Sequence, residues 1–337
     1  MKPSSKLTSF NFARNSNFVF AETVTHEQFK NLKLEEKYIV EKNSYLITYK
    51  MNYLKLKEND IIFCNSKFIK DLFYLLNKID TLKNIKLITH QTDLLIDKKI
   101  YKRKPKCISE WYSINVGFHH KNLVPIPLGL ANAYSPKNIK ETEIKNTDFL
   151  DKKLELYVNF NENTNLKARE GLYVNFKNKN WAVVKDFNLS IENYISDLKN
   201  YAFVLCPRGN GVDTHRVWEA LYSGSVPVLE YHETYRLMKS LPILFVNNLN
   251  NLTYEEMKTF HESFNEIKFN LDSLNLLYWI NLITKSRIDS NNVENVYMNK
   301  LIQNYFKYRN RILTHLESKF KVFKFYMKKL LKILKLI

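Results

Sequence analysis

The sequence predicts an α/β protein with two mainly parallel sheets and a C-terminal amphipathic helix. Three observations carry this. Strand-like and helix-like patterns alternate through the first half of the chain, as successive βαβ units do. After a polar stretch the same alternation restarts. The end of the chain then carries one apolar stripe at spacings of three and four residues.

In the first half, residues 17–25 hold a short apolar run, and residues 60–64 read as a buried strand. Residues 67–79 follow at once, with Phe68, Leu72, Leu75, Leu76 and Ile79 at helical spacing. Residues 85–89 form the next strand, and a short one is expected at 123–127. Residues 132–151 are polar and without period, and contain Ser135 and Pro136. They are expected to link a first domain, 1–135, to a second, 152–305. In the second half, strands are expected at 154–160, 182–186, 201–206 and 226–230. Helices are expected to start at 165–173 and to run over 191–200 and 213–223, with the remainder mainly helical. The tail, 306–337, aligns Leu313, Leu316, Phe320, Phe323, Met327, Leu330 or Leu331, and Leu334 on one stripe, with Lys filling the rest.

Apolar residues make up 45% of the 337 and charged residues 26%, a globular balance that excludes a disordered chain. The net charge of +18 admits nucleic acid, an anionic membrane surface or anionic substrates as partners. Half of that excess lies in residues 307–337, which hold eight Lys and two Arg against one Glu. The three Cys are far apart with no CxxC pair, which excludes a zinc site and a disulfide framework and suits a reducing cytoplasm. The first residues are polar, without the apolar core of a signal peptide, and no run is long enough to span a bilayer. The tail lies either across the two domains or, beyond Phe320, on the inner face of a membrane.

With only six glycines in the chain, their placement is informative. After the strand that ends at Cys206, Pro207, Gly209 and Gly211 make a loop around Arg208 and Asn210. Asp213 or Thr214 can then cap a helix, and Gly224 sits where its C-terminus needs a left-handed residue. A strand, a glycine loop and a helix N-terminus make an anion site, because free N–H groups and the helix dipole converge there. Arg208 and Arg216 add guanidinium forks suited to phosphate oxygens, with His215 between loop and helix. Glu219, one to two turns in, can accept hydrogen bonds from two vicinal hydroxyls. A plain strand–turn–helix with surface charges is the competing reading.

The string CPRGNGVDTHRVWEALYSGSVPV, residues 206–228, resembles the donor-binding signature of exostosin-like glycosyltransferases. More loosely it is similar to other transferases of the GT-B type, including the fucosyltransferases. The resemblance implies two facing Rossmann-like domains, with the donor held mainly by the second and the acceptor by the first. It places Glu219 on the ribose, and Arg208, Gly209, Asn210, Gly211 and Arg216 near the diphosphate, with Asp213, Thr214 and His215 in the same donor site. Further pieces resemble bacterial and viral members of the group: THQTD at 89–93, WYSIN at 111–115 and PIPLGLAN at 125–132. The related pattern reads T-H-N-S-D, so Gln91 and Thr92 depart from it conservatively. YVNF at 157–160, with Thr164, Asn165 and Arg169, resembles the first strand and loop of the second domain and adds Asn159 and Arg169 to the donor site.

Ligands of open α/β sheets bind beyond the carboxyl ends of strands, so His90 and Asp93 should face the cleft. Either is a candidate base for an acceptor hydroxyl; a structural, hydrogen-bonded His90 is the alternative. Trp111 is expected in the core. The chain has no D-x-D pair and no ligand-spaced His/Glu cluster, which favours transfer without a metal or other cofactor. The expected reaction moves a hexosyl or pentosyl group from a nucleotide sugar to a glycan or lipid-linked hydroxyl in surface polysaccharide synthesis. Inversion at the anomeric carbon is implied by the resemblance alone. A basic nucleic-acid binder and a catalytically silent nucleotide-sugar binder are the rival readings, though no helix-turn-helix, RNP or zinc module supports the first.

Overall fold

The structure is a computed structural model that describes residues 5–32, 37–131, 139, 143, 149–285, 293–298 and 300–333. Most of the expected linker and Leu334 lie outside the described residues.

The first half supplies β1 (Phe18–Thr25), β2 (Lys37–Lys42), β3 (Leu46–Met51), β4 (Tyr53–Lys57), β5 (Ile61–Asn65), β6 (Ile85–His90), β7 (Ile108–Ser113) and β8 (Leu123–Pro125). Seven of them form one sheet in the order β2-β3-β1-β5-β6-β7-β8. From β1 to β8 all pairs are parallel, whereas β3 pairs antiparallel with both β1 and β2. β5 and β6 are buried at every residue, which is why their sequences read as unbroken apolar runs. Helix Ile69–Leu76 covers this sheet with Leu72, Leu75 and Leu76 inward. Trp111 is fully buried against Phe73 and Tyr101 and donates from Nε1 to Thr89 Oγ1 at 2.8 Å, a core residue as expected.

The second half supplies β9 (Lys153–Val158), β10 (Ala182–Val184), β11 (Tyr201–Leu205), β12 (Val226–Glu230) and β13 (Leu244–Val246). They form a fully parallel sheet in the order β10-β9-β11-β12-β13. Helix Ile191–Asn200 leads into β11, and helix His215–Tyr222 joins β11 to β12. Gly224 follows that helix at φ 72°, the left-handed residue expected there. The helix expected from residue 165 is broken instead into Leu166–Arg169 and Leu172–Lys177, with Gly171 at φ 78° between them.

Apolar packing joins the halves. One cluster holds Phe12, Ile88, Tyr112 and Ile126 from the first half with Tyr157, Trp218 and Leu221 from the second, and with Trp279 on helix Leu276–Thr284. Gly129, at φ 72°, lies so close to the N-terminal segment that a Cβ would stand 2.1 Å from Leu7 O. That contact explains the glycine of the PIPLG string.

The described remainder after residue 230 is mainly helical, as expected, but the chain does not stay with the second sheet through residue 305. β14 (Val293–Tyr297) pairs antiparallel with β4, and Met298 and Phe306 are buried in the first half's core. A single helix, Lys300–Ile333, follows. Its start is docked on the first half: Phe306 and Asn310 are buried, and Arg309 pairs with Asp71, which also takes the buried ammonium of Lys50 at 2.6 Å. Packing across both halves up to Phe320 is not seen among the described side chains. The described side chains from Arg311 onward are exposed.

Candidate functional site

Two cavities flank helix His215–Tyr222. The first, of about 300 Å³, lies between the halves. One wall carries His90, Gln91, Asp93 and Asn115, from the carboxyl ends of β6 and β7; the other carries Arg169, Gly209, Asn210, Gly211, Asp213, Thr214 and His215. Parallel strands open this wall for a local reason. Where β6 ends, Gln91 takes φ 74° and its carboxamide locks onto Thr23, accepting from Thr23 N and donating to Thr23 O, both at 2.8 Å. That clamp turns the following residues into the cleft.

The walls are bonded to each other. Asn115, 1% exposed, accepts at Oδ1 from Val212 N at 3.0 Å and Asp213 N at 3.1 Å. His215 Nδ1 bonds Gly129 O at 2.7 Å, and Val116 N donates to Thr234 Oγ1 at 3.1 Å. Gly211 lies close against the first half: a Cβ there would lie 2.9 Å from Asp93 Oδ1 and 3.1 Å from Asn115 Nδ2.

Asp93 is exposed at the cavity and makes no hydrogen bond or ion pair among the described residues. His90 is different. It is buried, and its Nδ1 accepts from Gln91 N at 2.8 Å. That bond assigns the proton to Nε2 in the neutral ring, and Nε2 is buried without a hydrogen-bond partner. Burial, aided by His215, pushes its pKa down to about 3. A ring with one lone pair used and the other nitrogen protonated is a poor base, so the structural alternative for His90 is the better one.

Asp213 also has a structural task. Its carboxylate accepts from Trp218 Nε1 at 2.9 Å, Tyr235 Oη at 3.3 Å and Leu128 N at 2.9 Å, and burial raises its pKa to about 7. It lines the cavity but has its lone pairs committed, and it does not cap the helix. Thr214 is the N-cap residue, and its hydroxyl makes no capping bond and is buried without a partner. The first N–H groups of a helix have no intrahelical acceptor, so this end is left open to a ligand.

Arg169, 7% exposed, holds the glycine loop from within: it donates to Arg208 O at 3.0 Å, Asn161 O at 2.8 Å and Pro207 O at 3.2 Å. These bonds account for the broken helix at 166–177, since the guanidinium is drawn under the loop. Burial, then Arg216, lowers its pKa to about 10. It has no carboxylate partner among the described residues.

The second cavity, of about 210 Å³, belongs to the second half alone. Arg216 and Glu219 line it with Asn159, Phe187, Asn188 and Tyr194. Tyr194 Oη donates to Glu219 Oε2 at 2.8 Å and accepts from Arg216 NH1 at 3.1 Å. Asn159 is buried and donates to Asp186 O. The residues expected in one donor site therefore fall on two cavities, one on each side of the helix start. Arg208 joins neither. It is exposed and lines a separate cavity of about 60 Å³ with Glu230, Tyr231 and His232. Asn115 and Tyr194 are contributors that the sequence reading left out of the site; Asn115 had appeared only within the WYSIN string.

Fold and site together define a two-sheet α/β protein with a polar cleft between its halves. Residues 158–281, from the end of β9 through most of helix Leu276–Thr284, match the family described as the RXYLT1 C-terminal domain. No curated protein sequence matches the chain. Among solved structures, the chain is similar to an α1,3-fucosyltransferase at 15% identity and a TM-score of 0.32, over 65% of this chain and 70% of that one. It is also similar to the pneumococcal O-GlcNAc transferase GtfA in complex with UDP and GlcNAc, at 9% identity and a TM-score of 0.31, over 77% and 58% of the two chains.

Proposed function

We propose that the protein is a GT-B-type glycosyltransferase that moves a sugar from a nucleotide sugar to an acceptor hydroxyl, with inversion and without a metal ion. The observation that carries this is the open, uncapped start of helix His215–Tyr222, with Arg216 in its first turn and Arg169 under the adjoining glycine loop; Arg169 is buried with no ion-pair partner among the described residues, and burial lowers its pKa to about 10. A buried or half-buried cation without a counter-ion is costly, and an anionic ligand at the helix N-terminus relieves that cost.

In this reading the nucleoside occupies the cavity of Tyr194 and Glu219, whose carboxylate receives the ribose hydroxyls. The diphosphate lies against Arg216 and the helix start, near Thr214. The sugar reaches into the cavity between the halves, where the acceptor enters from the first half. The acceptor oxygen attacks the anomeric carbon while Asp93 takes its proton. The bond from that carbon to the diphosphate breaks, its electron pair leaves with the phosphate oxygen, and Arg216 and the helix dipole hold the new charge. Arg169 keeps the glycine loop in place.

The test is release of nucleoside diphosphate from UDP- and GDP-linked sugars, with chelator present and a glycan acceptor pool supplied. Turnover of one donor by the wild type, lost in Arg216→Ala, supports the reading. Turnover unchanged in Arg216→Ala contradicts it.

A further inference from the structure

The helix Lys300–Ile333 has two faces with different fates. One face, at Phe306, Arg309 and Asn310, is docked on the first half. The other carries an outward stripe that begins at Leu301 and runs through Tyr305, Tyr308, Ile312, Leu316 and Phe320, at steps of three or four residues, and on to Met327. Every one of these side chains is exposed, Leu301 at 80% and Phe320 at 65%. Steps of three and four keep a stripe on one side of a helix. From Leu301 to Met327 the stripe is about 40 Å long at 1.5 Å per residue.

The charge around it is one-sided. Residues 300–333 hold ten Lys and Arg against a single Glu, Glu317. Among the described residues no helix is both long and apolar enough to cross a membrane. An apolar face of Leu, Phe and Tyr set among lysines is the pattern of a helix that lies in the headgroup region of an anionic bilayer. A second copy is the less favourable occupant. A parallel pairing along Leu316, Phe320, Phe323 and Met327 would set Lys319 of one copy beside Lys324 of the other, and would bring together two segments of the same strong charge.

We propose that this helix docks the protein on an anionic lipid surface, with the outward stripe inserted among the acyl chains and the lysines on the headgroups. Because its first turns are fixed to the body by Phe306 and the Arg309–Asp71 pair, the helix holds the body at a set orientation to the bilayer rather than on a loose tether. The inference does not depend on the reaction proposed above.

The test is co-sedimentation of the full chain with vesicles of phosphatidylcholine alone and with one-third phosphatidylglycerol, in low and high salt. The variant is Phe320→Glu with Phe323→Glu. Both positions are exposed, so folding is unaffected, and an unchanged melting temperature checks this. The expected result is binding to the anionic vesicles only, weakened at least tenfold in the variant and partly retained by the wild type in high salt. Absence of binding to anionic vesicles overturns the proposal. So does equal binding by wild type and variant, which would make the attraction purely electrostatic. A wild-type dimer in solution that the variant abolishes, without vesicle binding, would assign the stripe to a second copy and overturn it as well.

Discussion

Asp93 and Gly211 meet across the cleft with no room for a side chain between them: a Cβ on Gly211 would stand 2.9 Å from Asp93 Oδ1. The obstacle is the end of an exposed, rotatable carboxylate, so Gly211→Ala should fold. Its stability should fall by about 1 kcal/mol, the usual size for a single substitution, because the buried Asn115 Nδ2, 3.1 Å from the new Cβ, must also give slightly. Asp93, however, must turn away. Initial rates should then drop at least tenfold while the melting curve barely moves. A variant as active as the wild type would remove Asp93 from the reaction centre.

Asp93 and His90 are separable by pH. Asp93→Asn should cut kcat by about 10²–10⁴, the usual contribution of a positioned base, and leave nucleoside diphosphate affinity unchanged. His90→Gln should lower stability, because a buried ring packed against Phe12 and Phe63 is lost. The pH at which the remaining activity rises should not shift. A loss of that acidic limb in the His90 variant alone would restore His90 as the base.

Asn115 ties the halves through two backbone N–H groups. Asn115→Ala leaves both buried without a partner, at a cost of about 1–3 kcal/mol for each such group. Chemical denaturation should show a lower midpoint, and the glycine loop should become more open to hydrogen exchange. Unchanged exchange at Val212 and Asp213 would show that the bond does not hold the loop.

Burial raises the Asp213 pKa to about 7 from an ordinary value of 3.8. Between these values the folded chain binds more protons than the unfolded one at this site, so the contribution is present at low pH and lost as pH rises through 7. The slope within the window is roughly 1.4 kcal/mol per pH unit at most. Glu22, also raised to about 7 by burial, acts in the same direction. Asp213→Asn should therefore flatten, without abolishing, the fall in stability from pH 4 to pH 7, as read from denaturation midpoints.

Much of the fold was legible because buried parallel strands are unbroken apolar runs. β5, β6, β11 and β12 announced themselves in this way, and helix Ile191–Asn200 has the bounds its spacing suggested. The β2–β3 pair was not legible, since Lys37, Glu41 and Lys42 interrupt its apolar residues on an edge of the sheet. β14 was hidden for another reason: its partner β4 lies more than two hundred residues away, and no local pattern records such a pairing. In the site, residue types at a strand end and a helix start could be read, but not how they share the space. The division of Thr214 and His215 from Arg216 and Glu219 follows from the helical turn and from where Tyr194 and Asn115 stand, and both of those contacts are made by residues distant in sequence.

The most direct measurement is calorimetric titration of the protein with UDP and with GDP, in chelator, repeated on Glu219→Ala and Arg216→Ala. The account predicts micromolar binding of one of the two nucleotides, weakened at least tenfold by either substitution. Binding of neither nucleotide, or binding that both variants retain in full, would contradict a donor site at helix His215–Tyr222.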